Sequence, residues 1–163
     1  MDAQDEVDRL VEAWGRERPD LDVTPMHVLS RVSRIAFQLD RARKQAFTDH
    51  GLEPWEFDVL SALRRAGAPY QLSPGQLVQA TLVTSGTMTN RVDRLAGRGL
   101  VERLPDPLDR RGVQVRLTDA GRTAVDGALT ALLAHEHELL AGLDAPRRDA
   151  LVDTLRALSR HFE

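Results

Sequence analysis

Five side chains within one short stretch, Thr87, Thr89, Asn90, Arg91 and Arg94, are hydroxyl, amide and guanidinium groups of the kind that read base edges or grip phosphates. They share one face of a predicted helix, because Met88, Val92 and Leu95 recur at i, i+4 and i+7 and claim the opposite face for a core. Thr84 or Ser85 can cap the N-terminus of this helix, and Gly99 can take the left-handed turn that ends it. Downstream, Arg110 and Arg111 stand in a loop running from Pro105 to Gly112, where Asp106 and Asp109 favour turns. An arginine carried at the tip of such a loop can enter a narrow minor groove.

The elements that must position these groups are legible on either side. After Gly99 the apolar period falls to two, with Leu100, Glu102 and Leu104 alternating against Val101 and Arg103, and Val113, Val115 and Leu117 against Gln114 and Arg116. Two short strands therefore flank the loop as a hairpin, a β-wing. Upstream, Ser73, Pro74 and Gln76 form a helix start, with serine as N-cap, proline in the first turn and glutamine reaching back. A helix from Pro74 to Ala80, a short turn and the reading helix make a helix-turn-helix, in which the second helix lies in the major groove of duplex DNA.

Charge distribution agrees with this reading. The whole chain carries −3, yet the stretch from Ser85 to Thr118 holds seven arginines and four acids, a local +3 on a remainder of −6. A basic patch on an acidic body restrains non-specific coating of nucleic acid while leaving one face attractive to phosphate. There is no cysteine, which excludes disulfides, thiolate metal sites and thiol redox switches. The first twenty residues are too charged for a signal peptide and no apolar run approaches a membrane span, so a cytoplasmic protein without membrane contact is expected. No nucleophile elbow, phosphate loop or zinc-protease motif occurs, so no catalytic residue is assigned and no enzyme is expected. His135 and His137 are i, i+2 on a predicted helix and point apart, which is poor metal geometry, so no metal site and no cofactor is expected.

The rest of the chain reads as helix. Residues 5–18 place Val7, Leu10, Val11 and Trp14 in one stripe before Pro19. Pro25 opens a longer helix with Val28, Val32, Ile35, Leu39 and Ala42 on one side, stopped by Gly51. Pro54 to Ala66 follows, with Trp55, Val59, Ala62 and Leu63 as candidate core and Asp58 near the middle. Thr118 caps a helix from Asp119 to about Leu140, with Ala124, Ala128, Leu132 and Leu139 among its apolar positions, and a last helix after Pro146 carries Leu151, Leu155, Leu158 and Phe162. The fold class is thus mainly α with a small β-wing in a single domain. N-terminal helices span 5–50, the winged helix-turn-helix 52–118 and C-terminal helices 119–163. So much apolar helix outside the DNA-reading core predicts a homodimer, whose two reading helices roughly 34 Å apart match successive major grooves of a palindromic operator. A larger monomeric helical domain is the competing account of the same stripes.

These residues resemble the MarR family of winged-helix regulators over nearly the whole chain. The most specific match is DPLDRRGVQVRLTDAGR at 106–122, similar to the family's wing signature followed by its LTxxG helix start. The resemblance implies that Arg111 is the wing-tip residue of the minor groove, oriented by Asp109, and that Ser85, Thr87, Thr89, Asn90 and Arg91 belong to the major-groove helix. Arg94 and Arg110 complete the expected DNA set. A narrower resemblance, carried by Trp14, Asp58 in PWEFDVL, Arg91 in MTNRVDRL and Arg103 in LVERL, is to the urate-responsive branch, and implies that these four residues bind the effector.

The chemistry of a planar anion suits that set. Guanidinium forks take its charge, an aromatic face stacks on it and a carboxylate accepts its ring N–H groups. An anion drawing Arg91 and Arg103 inward would release DNA. Each residue also has a plainer reading: Trp14 as a core anchor, Asp58 and Arg91 as a structural ion pair, Arg103 as a phosphate contact. The same two arginines would suit a tricarboxylate such as trans-aconitate or citrate, or a phenolic anion. From a different class, a winged-helix module that binds protein and no DNA is the remaining alternative.

Overall fold

Prolines and glycines bound the helices where the sequence places them, and the structure, a computed structural model, describes residues 4–107 and 112–162. The chain divides into two units, Met1–Lys44 and Gln45–Glu163.

In the first unit, helix α1 (Glu6–Glu17) starts where the Asp5 carboxylate accepts from the N–H groups of Val7 and Asp8 at 2.8 and 3.0 Å. Asp8 returns the bond to the Asp5 N–H, so two donors of the first turn are satisfied reciprocally. The helix ends before Pro19, whose ring disfavours a helical residue ahead of it. Helix α2 (Met26–Asp49) begins in this unit, and Arg31 on it donates to both Asp5 and Asp8. The Asp8 N–H and the Arg31 guanidinium hold the Asp5 carboxyl down to about 2. Val7 and Val11 are buried as expected, whereas Trp14 keeps 45% of its surface exposed and is not a core anchor. Val28, Val32 and Ile35, the predicted stripe of α2, are exposed as well.

The second unit holds α3 (Pro54–Arg65), β1 (Gln71–Leu72), α4 (Pro74–Thr81), α5 (Ser85–Gly97), β2 (Val101–Pro105), β3 (Val113–Leu117), α6 (Asp119–Leu140) and α7 (Ala145–Ser159). Its core gathers the inward stripes of α3 to α6 and the end of α2. Phe47 stacks on Phe57 at 4.0 Å, and Leu60, Leu63, Leu77, Met88, Leu95, Val115 and Val125 are fully enclosed. The strands form one antiparallel sheet in the order β1-β3-β2, with Glu102 opposite Arg116 and Arg103 opposite Val115. The third strand, β1, lies outside the two-strand expectation. Two residues are too short to show an alternating pattern, and β1 exists only because it pairs with β3.

Two local features hold the reading helix in place. Gly121, in the first turn of α6, lies so close to the chain that a Cβ there would fall 2.1 Å from the Leu100 carbonyl oxygen. Glu56 on α3 is a buried carboxylate that pairs with Arg98 just after α5, while Arg98 also donates to the Gly51 carbonyl at 2.7 Å. Helix α7 has no buried residue: Leu151, Leu155 and Leu158 are exposed, as is Leu139 of α6, while Phe162, expected on the same helix, lies beyond its end at Ser159 and is exposed. Among the described residues no helix is long and apolar enough to cross a membrane, and no group of three or more His, Cys, Asp or Glu is arranged to hold a metal.

Candidate nucleic-acid interface

The helix-turn-helix is built from α4 and α5. Ser73 caps α4 by accepting from the Gln76 N–H at 3.2 Å, and the Gln76 side chain accepts from the Ser73 N–H at 2.8 Å, the box expected from SPGQ. Leu82 then turns the chain with a positive φ of 54°. Thr84 caps α5, accepting from the Thr87 N–H at 3.3 Å. Met88, Val92 and Leu95 point into the core, and this fixes the opposite face.

That face presents the sequence-predicted residues together. Ser85, Thr87, Thr89, Asn90 and Arg94 are exposed and Arg91 is half-buried. The Thr89 hydroxyl donates back to the Ser85 carbonyl at 3.1 Å, and the Thr87 hydroxyl shares a bond with that of Thr84 at 2.9 Å. Asn90 lies between them and the arginines, beside an open cleft of about 500 Å³ lined by Trp55, Gly86, Thr87, Asn90, Arg91 and Arg94. Trp55 is half-buried at the start of α3. The guanidinium carbons of Arg94 and Arg91 stand 4.7 and 5.5 Å from its ring centroid. Sequence reasoning assigned Trp55 to the core, and it does pack against the core as a partly buried residue, but its place beside two reading-helix arginines is a tertiary relation that no spacing reveals.

The remaining described arginines of the region are tied to acids. Arg103 on β2 donates to Asp93 on α5 at 2.6 Å, linking the hairpin to the reading helix. Arg116 donates to Glu102 across the β2–β3 pair at 2.8 Å. The base of the hairpin is closed by the Asp106 N–H donating to the Gly112 carbonyl at 3.0 Å and by Gln114 donating to the Asp106 carboxylate at 2.6 Å. Asp109, Arg110 and Arg111, the expected wing-tip residues, lie outside the described residues.

Of the four residues expected to hold an effector, the three in the second unit each keep different company. Arg91 meets Trp55, Arg103 meets Asp93, and Asp58 lines a different, shallow depression with Ser61, Arg65, Ala80, Thr81 and Leu82. Among the described residues Asp58 makes no ion pair, so the structural Asp58–Arg91 pair weighed from the sequence does not form. Trp14 belongs to the first unit, the other three to the second.

Residues 50–112 match the profile of the MarR family. The chain is 38% identical over 157 residues to the HTH-type transcriptional regulator PecS of Dickeya dadantii, covering 96% of this chain and 95% of that protein. Among solved structures, a cysteine-to-serine mutant of MarR from E. coli in complex with operator DNA superposes with a TM-score of 0.66 at 28% identity, over 85% of this chain and 99% of that one. BpsR of Bordetella bronchiseptica, solved to explain how 6-hydroxynicotinic acid regulates its DNA binding, gives a TM-score of 0.64 at 31% identity, over 81% and 92% of the two chains. These relatives are transcriptional regulators, not enzymes. With a helix-turn-helix, a three-stranded wing and a relative of this identity spanning nearly its full length, the chain belongs to the MarR family of winged-helix transcriptional regulators.

Proposed function

We propose that the chain is a homodimeric repressor that binds a palindromic operator and is released from it by a small anion such as urate. The observation that carries the DNA reading is the solvent face of α5, where Ser85, Thr87, Thr89, Asn90, Arg91 and Arg94 stand together with their core-facing partners locked beneath them. Their donors and acceptors suit a major groove, and the wing, with Asp109, Arg110 and Arg111, is assigned the adjoining minor groove. The likeness to MarR bound to operator DNA supports this placement. A protein that occupies a promoter in this way represses.

The effector reading rests on chemistry at the same elements. Arg91 is on α5 and Arg103 on β2, so an anion that recruits both, with Trp14 and Asp58, would compete with their DNA-bound positions. Release requires only that the anion bind the DNA-free conformation more tightly, and coupling of about 1 to 3 kcal/mol is typical of such switches. The DNA binding of BpsR is regulated by 6-hydroxynicotinic acid, which like urate is a planar nitrogen heterocycle that forms an anion.

A gel shift on duplex DNA from upstream of the protein's own gene tests both parts. Binding should weaken steeply with salt, with a log–log slope set by several phosphate contacts, and a slope near zero would remove the DNA reading. Urate should displace the protein at sub-millimolar to millimolar concentration. Asp58→Ala should blunt that response without changing affinity for DNA. If trans-aconitate, citrate or a phenolic acid displaces it and urate does not, the effector class changes; if Asp58→Ala responds like the parent, the assigned residues are wrong.

A further inference from the structure

We infer that Trp55 and Glu53 are positioning residues for DNA reading: an indole and a carboxylate at the start of α3 that hold the guanidinium groups of Arg94 and Arg91 on α5 in place before DNA arrives. The inference rests on the DNA reading above and adds to it residues outside the reading helix.

The described arginines between Ser85 and Thr118 fall into two sets. Arg98, Arg103 and Arg116 each donate to a carboxylate, from Glu56, Asp93 and Glu102. Donors so engaged are lost to a phosphate or a base edge. Arg91 and Arg94 are held differently. They stand i, i+3 on one face of α5 and meet the same indole, Arg94 at 4.7 Å and Arg91 at 5.5 Å from its centroid. A cation–π contact holds a guanidinium by its charge and spends none of its N–H groups on a carboxylate. Among the described arginines of this stretch, the two that hydrogen-bond to no carboxylate are therefore the two on the reading face.

The indole is itself fixed. Its Nε1–H donates to one oxygen of Glu53 at 2.7 Å, and the other Glu53 oxygen lies 3.7 Å from Nη2 of Arg94. Trp55, Glu53 and Arg94 thus close a ring of contacts, and Trp55 and Arg94 line the same cleft as Thr87 and Asn90. A free arginine must give up its rotamer freedom when it docks, whereas a stacked one has already done so. Affinity gained in this way comes from order, not from added charge.

Two signatures follow, read with the full-length protein and a duplex from upstream of its own gene. Trp55→Ala should weaken binding about tenfold, with an unchanged log–log salt slope because no charge is removed. The loss should nearly vanish when Arg94→Ala and Arg91→Ala are already present, since the indole acts through those side chains. Trp55→Phe, which keeps the aromatic face, should retain most of the affinity, whereas Trp55→Leu, which keeps only apolar bulk, should not. Thermal unfolding of each variant separates this from a lost fold. Equal losses in the parent and arginine-free backgrounds, or full affinity in Trp55→Leu, would overturn the positioning role while leaving DNA binding intact. A parent protein that fails to bind the duplex at all would overturn both.

Discussion

Glu56 retains 1% of its surface on a helix whose other inward residues are hydrocarbon. Its cost is met by two donors, the Arg98 guanidinium and the Glu53 N–H at 2.9 Å. Arg98 in turn reaches the Gly51 carbonyl, so one arginine joins the entry to α3 with the exit from α5. The periodicity of PWEFDVL does not disclose this, because an acid among apolar positions reads as solvent-facing until its partner, far along the chain, is known. Removing a partner from a buried pair is more damaging than replacing both. Arg98→Met is expected to lower stability by about 2 kcal/mol, discounted for the partial exposure of the arginine, while Glu56→Leu with Arg98→Met recovers most of it. Denaturant midpoints at constant slope measure both, and an Arg98→Met protein as stable as the parent would deny the pair any structural role.

At the scale of elements, legibility followed local chemistry. Capping residues, prolines and glycines marked the helices to within a residue or two, since each acts on its own turn: Ser73 and Gln76 for α4, Thr84 for α5, Thr118 accepting from the Gly121 N–H at 3.0 Å for α6. What depends on distant partners was not legible, such as the two residues of β1 or the indole beneath Arg94. The glycine of LTxxG has both sides. The sequence marks it as a helix start, and the structure supplies the reason: α6 packs onto the chain leaving α5, where the Leu100 carbonyl accepts from the Thr118 N–H at 3.1 Å. A methyl at 121 would have to displace that backbone oxygen and also meets Leu117 Cδ1 at 2.9 Å. Gly121→Ala should therefore destabilise by about 1 to 3 kcal/mol despite its higher helix propensity, and the strain falls between reading helix and wing. Gly97→Ala, with nothing within 4 Å, is the matched control and should be neutral or stabilising. Thermal unfolding of the two variants side by side decides it; equal midpoints would mean that the contact relaxes freely.

For the molecule as a whole, the question is what covers the apolar residues that a single chain leaves in water. Leu151, Leu155 and Leu158 recur along α7 with 36–46% exposure, and no residue of that helix is buried. A helix of this kind has little reason to hold its pattern in a monomer, whereas a second copy would bury the stripe twice by symmetry, at about 1 kcal/mol for the remaining exposure of each leucine. The proposed palindrome needs the same assembly, because a lone reading helix contacts only a half-site. The double variant Leu151→Asp, Leu155→Asp should therefore sediment at the mass of one chain while the parent sediments at twice that mass. The unfolding temperature of the parent should rise with protein concentration and that of the variant should not. Because α5 is untouched, the variant should keep weak, salt-sensitive binding to duplex DNA yet lose about a hundredfold in affinity for the palindrome, as linked half-sites become independent. A variant that remains dimeric would place the interface elsewhere in the chain, and one that is monomeric with undiminished operator affinity would show that reading the operator does not require two copies.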